Sequence, residues 1–243
     1  MTPVFGGPTV IISQTLQSSD FCAMQHPSKL NEKVVAKVIA RRGRLHAFET
    51  LEPRRTALVV IDLNLASVEQ DDACKAMIPR INALATALRK HGGLVAWVRT
   101  EFRLTPQATA QYGIDASRFA AELDPNGTGA QLWPGLVVEM ADVQAMKRGA
   151  SAFFPGKCEL PETLSARNVE HVLIAGTVTN VCCESSARDA VELGFHVTMV
   201  SDACAGHSHG LHEATLNTFY RSFGDVRPCD DVARLIAEGT PHS

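Results

Sequence analysis

The chain has 243 residues, 45% hydrophobic and 20% charged, enough for one soluble α/β domain with a full core. A formal net charge of -3 offers no basic surface for nucleic acid or an anionic membrane, and no apolar stretch is long enough to span a bilayer. Seven cysteines, at 22, 74, 158, 182, 183, 204 and 229, show no metal-type spacing; with no basic leader in residues 1–17, they predict free thiols in a cytoplasmic protein without a secretory signal.

Residues 1–28 are small, polar and punctuated by Pro and Gly, which predicts poor order. Val34, Val35, Val38 and Ile39 give residues 30–42 helical spacing, closed by Arg41-Arg42-Gly43. Residues 1–55 thus read as an arm with a short helix, whose apolar stripe needs a surface and is expected to find it on a neighbouring subunit. From 56 to 240 strands alternate with helices. A strand at 57–62 precedes a helix at 74–90 and a strand at 94–99. A long polar excursion, 105–135, carries a short helix near 116–122. Then come a strand at 143–146, a helix at 161–167, a strand at 171–175 and a helix at 181–193. A strand at 197–201, a helix at 211–221, a strand at 223–226 and a helix at 230–238 complete the domain. This alternation predicts a three-layer α/β/α fold around a mostly parallel, Rossmann-like sheet, with ligands at the carboxyl ends of strands near a switch in strand order.

Three chemistry-bearing residues fall at predicted strand ends. Asp62 closes the apolar run 57–61, where a partly desolvated carboxylate suits proton transfer. Lys147 follows the strand at 143–146 and precedes Arg148-Gly149-Ala150-Ser151-Ala152-Phe153-Phe154. Cys182 follows the turn Gly176-Thr177-Val178-Thr179-Asn180 at the start of a helix, where unpaired N–H groups and the helix dipole favour a thiolate. Cys183 points about a hundred degrees away round the helix and reads as packing. Glu184 and Arg188, four apart, read as a structural pair. Trp133, Phe153 and Phe154 are candidates to line a pocket. Arg99 and Glu101 either read substrate charge or form a surface ion pair. His207, His209 and His212 read as a polar loop opening a helix rather than as metal ligands.

The order and spacing of these elements, over residues 55–238, resemble the isochorismatase-like cysteine hydrolases. The family's strand-end Asp falls on Asp62, its Lys with a Ser-Ala-Phe element on Lys147 and Ser151-Ala152-Phe153, and its Gly-x-x-Thr-x-x-Cys motif on Gly176, Thr179 and Cys182. The stretch Thr179-Asn180-Val181-Cys182 with Glu184-Ser185 and Arg188-Asp189 looks most like the ureidoacrylate amidohydrolase branch, near the N-carbamoylsarcosine amidases. The resemblance implies catalysis by Asp62, Lys147 and Cys182, and a cis peptide bond at Thr177–Val178. It implies an oxyanion hole from the N–H groups of Val178 and Cys182, and substrate contacts from Asn64, Trp133, Phe153 and Thr177. It also implies cofactor-free hydrolysis of a C–N bond in a small amide, ureide or carbamoyl compound, by a homo-oligomer, a dimer or tetramer.

The pattern departs after Asp62. Family members commonly read Asp-x-Gln-Asn-x-Phe/Tyr, whereas here Asn64 stands in for the Gln, Leu65 lacks an amide and Ser67 lacks an aromatic wall. The nicotinamidase branch carries a metal site of an Asp and histidines in the loop after the second strand; residues 101–113 contain no His, so no metal is expected. Two alternatives remain. One is vinyl-ether hydrolysis of the isochorismate type, against which Cys182 argues, since members with that activity generally lack the cysteine. The other is a non-catalytic, redox-sensing protein using Cys182 and Cys183.

Overall fold

The apolar and β-branched run Thr56–Ile61 forms β1, a strand buried on both faces. The other strands are β2 (Leu94–Thr100), β3 (Val143–Lys147), β4 (His171–Thr177), β5 (His196–Ala205) and β6 (Asp225–Arg227). In this computed structural model, which describes residues 29–101, 110, 124 and 127–239, they form one sheet in the order β3-β2-β1-β4-β5-β6, with every pairing parallel. The predicted helix near 116–122 and the arm residues 1–28 lie outside the described residues. The order of winding reverses between β1 and β4, which makes a crevice at their carboxyl ends.

The helices are α1 (Glu32–Arg42), α2 (Leu65–Glu69), α3 (Asp72–Lys90), α4 (Leu160–Ala166), α5 (Glu184–Glu192), α6 (His209–Ser222) and α7 (Cys229–Glu238). Alternate residues of β1 sort them into layers. Val59 and Ile61 join a core with α1, α4, α5 and α6, while Leu58 and Val60 join a second core with α2, α3 and α7. The result is the expected α/β/α sandwich. None of the described helices is long and apolar enough to cross a membrane.

Local chemistry sets several boundaries. The Asp71 carboxylate accepts from the N–H groups of Ala73 and Cys74, so α3 starts two residues before the periodicity predicts. α2 escaped the sequence reading because five residues are too few to show a period. β6 begins two residues later than predicted, because Phe223 closes α6 and stacks on Phe219. Part of the apolar stripe of α1 packs within the chain: Val38 is buried in the first core, Asn31 N–H donates to Asn217, Arg41 donates to the Arg221 carbonyl, and Arg42 lies over the Tyr220 ring, while Ile39 stays 40% exposed. That face was legible as amphipathic, and α6 supplies part of the surface it needs.

Two register features position the carboxyl edge. Thr100 pairs with Lys147, and Ile61 pairs with both Val98 and Gly176. Gly176 has φ +120, and a Cβ there would sit 2.1 Å from the Ile61 carbonyl oxygen. We therefore expect Gly176→Ala to destabilise the fold by about 3 kcal/mol or more in urea denaturation, through a clash and a disallowed dihedral together. A second expectation concerns Cys74, whose thiol is pushed from 9.0 up to about 12 by burial and by the Asp71 charge. The unfolded thiol ionises first, so the folded state loses stability as pH rises through that window. Cys74→Ala should remove about 1.4 kcal/mol of the stability lost between about pH 8 and about pH 10, measured by urea denaturation at those two pH values.

Candidate active site

Four strand ends converge on one point. Asp62 follows β1 directly and its N–H donates to the Val98 carbonyl, which carries the carboxylate over the end of β2. Its φ of 55 lies in the left-handed region, which Asp tolerates better than most residues. Lys147 ends β3 and is 0% exposed. β4 leads through a cis Thr177–Val178 peptide into a π-helical turn, Thr179–Cys183, which presents Cys182 ahead of α5.

The three side chains predicted to act together do meet. Lys147 Nζ lies 2.9 Å from Asp62 Oδ2 and 3.4 Å from Cys182 Sγ. It also donates to the Gly149 carbonyl at 3.0 Å and to Thr100 Oγ1. Thr100 in turn donates to Asp62 Oδ1 at 2.7 Å. Sequence reasoning missed Thr100, since a threonine in a strand passes for β-branched filler; only the register with Lys147 singles it out.

Burial governs the proton affinities. Burial alone would lower the Lys147 pKa, but the Asp62 carboxylate and the Cys182 sulfur hold it above its ordinary value. Cys182 is the opposite of the low-pKa thiolate expected from the helix start. Burial, then the Asp62 charge and hydrogen bond, outweigh Lys147 and push the thiol up to about 12. At neutral pH the resting group is a thiol in contact with a carboxylate, and the sulfur becomes nucleophilic when a base removes its proton.

The residues assigned to substrate fare differently. Phe153 is a correction: it is 0% exposed and packs edge-on against Phe195 in the α5-side core. Two hydrogen bonds hold the backbone here, since Ser151 Oγ accepts from Phe153 N–H and the distant Ser186 Oγ accepts from Ala152 N–H, which turns the ring inward. Phe154 remains largely exposed. Asn64 is buried, and its Oδ1 accepts from Ser67 N–H to cap α2. Trp133 is half-buried against the α3-side core, on the other face of the sheet from the core that Cys182 joins. Thr177 donates to the Ala205 carbonyl and contacts Cys74.

Cys183 is buried behind Cys182 and hydrogen-bonds Cys204. Glu184 pairs with Arg188 and accepts from Thr215, tying α5 to α6. Glu101 pairs with Arg148. His207 is exposed, whereas His212 is buried with Nδ1 2.9 Å from Thr179 Oγ1, beneath the nucleophile turn. Among the described residues, no group of three or more His, Cys, Asp or Glu is placed to hold a metal ion.

Comparison with known proteins agrees with this architecture. Residues 56–231 match the Isochorismatase domain. The uncharacterized isochorismatase family protein YecD of Escherichia coli O157:H7 is 30% identical over 189 residues, 76% of this chain and 98% of its own length. Ureidoacrylate amidohydrolase RutB of Klebsiella variicola is 25% identical over 221 residues, 80% of this chain and 92% of its own. The crystal structure of a cysteine hydrolase from Pseudomonas syringae pv. phaseolicola shares the fold, with a TM-score of 0.70 at 24% identity over 81% of this chain and 99% of its own. The six parallel strands, the cysteine turn and the extent of these matches together establish that this chain belongs to the isochorismatase family of hydrolases.

Proposed function

We propose that the protein is a cofactor-independent cysteine hydrolase that cleaves a C–N bond in a small amide, ureide or carbamoyl compound. The observation that carries this reading is the contact of a buried Lys147 ammonium with both the Asp62 carboxylate and the Cys182 sulfur. The similarity to an amidohydrolase supports the C–N assignment.

In the proposed reaction, Asp62 takes the Cys182 proton as Sγ forms a bond to the substrate carbonyl carbon. The π pair of the carbonyl moves onto oxygen, where the N–H groups of Val178 and Cys182 receive it; one such donor is typically worth about 3–4 kcal/mol. Collapse breaks the C–N bond, and the amine leaves with the proton that Asp62 held. Water, deprotonated by the same carboxylate, then attacks the thioester carbonyl; collapse breaks the C–S bond and frees the acid product, and the departing thiolate takes from Asp62 the proton that came from water. Lys147 stays charged throughout and offsets the negative charge shared by Asp62 and Cys182. Net, one water is consumed for each C–N bond broken.

A peroxide-sensing role is disfavoured, because such sensors use accessible, low-pKa thiolates, whereas burial raises both Cys182 and Cys183. We further assign residues 1–55 to an arm and 56–240 to the hydrolase domain, and expect a cytoplasmic dimer or tetramer.

Ammonia release from a panel of primary amides, ureides and carbamoyl compounds tests the reading. Cys182→Ala should lower turnover by about 10³-fold or more while leaving the thermal midpoint near that of the parent; full turnover in this variant would remove the covalent route. Lys147→Met should lose turnover and also about 3–5 kcal/mol of stability in urea, because Asp62 is then buried without its counter-charge. A Lys147→Met protein as stable as the parent would show that the ammonium does not hold the site together.

A further inference from the structure

We propose that Thr100 is a positioning residue, whose hydroxyl orients the Asp62 carboxylate toward Cys182 and keeps it in its proton-accepting form. This rests on the reading of Cys182 as nucleophile and Asp62 as its base.

Donor and acceptor inventories fix the direction of the link. An ammonium only donates, so Thr100 Oγ1 accepts from Lys147 Nζ. The hydroxyl has a single proton, and the structure commits it to Asp62 Oδ1 at 2.7 Å. Lys147 Nζ meanwhile holds Oδ2 at 2.9 Å. Both oxygens of the carboxylate are therefore restrained, from β2 and from β3, and rotation of the group breaks at least one bond. Thr100 is buried, so no solvent competes for its hydroxyl. A purely packing role would be met equally by valine; the polar link does something valine cannot, because a hydrogen bond to the ionised carboxylate favours that form. Among the described residues, the titratable groups that face Asp62 are Lys147 from β3 and Cys182 on the turn, with Cys183 behind it.

The test is the pH profile of iodoacetamide labelling at Cys182 in the full chain, read by mass spectrometry with Cys182→Ser as the blank. Labelling falls on the acid side once the carboxylate holds its own proton. Thr100→Val removes the hydroxyl at constant volume, so that limb should move to higher pH by about one unit, a roughly tenfold slower labelling below the limb. Thr100→Ala should show the same shift without any strain from the new methyl group, and Thr100→Ser should return the limb to its original place. Superimposable profiles for the parent, Thr100→Val and Thr100→Ala overturn the inference, as does an equal shift in Thr100→Ser. A parent protein that does not label at Cys182 at any pH overturns the nucleophile reading, and this inference with it.

Discussion

A lysine ammonium with no solvent exposure is the constraint around which the carboxyl edge of the sheet is built. Removing such a charge from water costs several kcal/mol unless partners replace its hydration. Among the described residues, Lys147 contacts Asp62, Thr100, the Gly149 carbonyl and, at longer range, the Cys182 sulfur. Three of the partners belong to elements other than its own, so the ammonium ties β1, β2 and the nucleophile turn to β3. Parallel strands about 4.8 Å apart are well suited to this task. The register sets Thr100 beside Lys147, and it places Asp62 one residue beyond the Ile61–Val98 pair. The site is thus as rigid as the sheet that carries it.

The same burial decides the state of the sulfur. A helix start and a nearby ammonium both favour a thiolate, but neither is enough here. The Asp62 carboxylate opposes them, and desolvation is the largest influence on the thiol. The resting pair is a neutral thiol and a charged carboxylate, with Lys147 neutralising the latter. In the proposed reaction, proton transfer from sulfur to carboxylate moves negative charge between two positions that the same ammonium contacts.

Much of this was readable before any coordinates. The β1 run, the amphipathic α3 and the strand-end positions of Asp62, Lys147 and the cysteine turn follow from periodicity and turn chemistry, and so does the layered architecture. What escaped the reading depended on neighbours remote in sequence. Thr100 gains its importance from the β2–β3 register. Phe153 looked like a pocket aromatic, but a local hydrogen bond through Ser151 and one to Ser186, 34 residues on from Ala152, turn it into the core. The α1 stripe was seen as apolar, and part of its cover is α6, whose contacts lie 180 and 186 residues away in sequence. The thiolate expectation failed because a local argument about helix ends omits burial by the rest of the chain.

The departure from the family pattern after Asp62 has a structural rationale of its own. Asn64 is the N-cap of α2, and Ser67 supplies the N–H that it accepts. Leu65 donates its N–H to the Gln131 carbonyl, Trp133 donates to Leu63, and Asn64 bridges to Leu132. The segment is therefore stitched to residues 131–133 by backbone bonds that any side chain could make. Loss of an amide at Leu65 and an aromatic at Ser67 leaves that scaffold unchanged while changing the side chains it presents beside Asp62. Sequence variation at this edge alters the local surface, whereas Asp62, Thr100 and Lys147 are held by a separate set of bonds. Divergence in one need not disturb the geometry of the other.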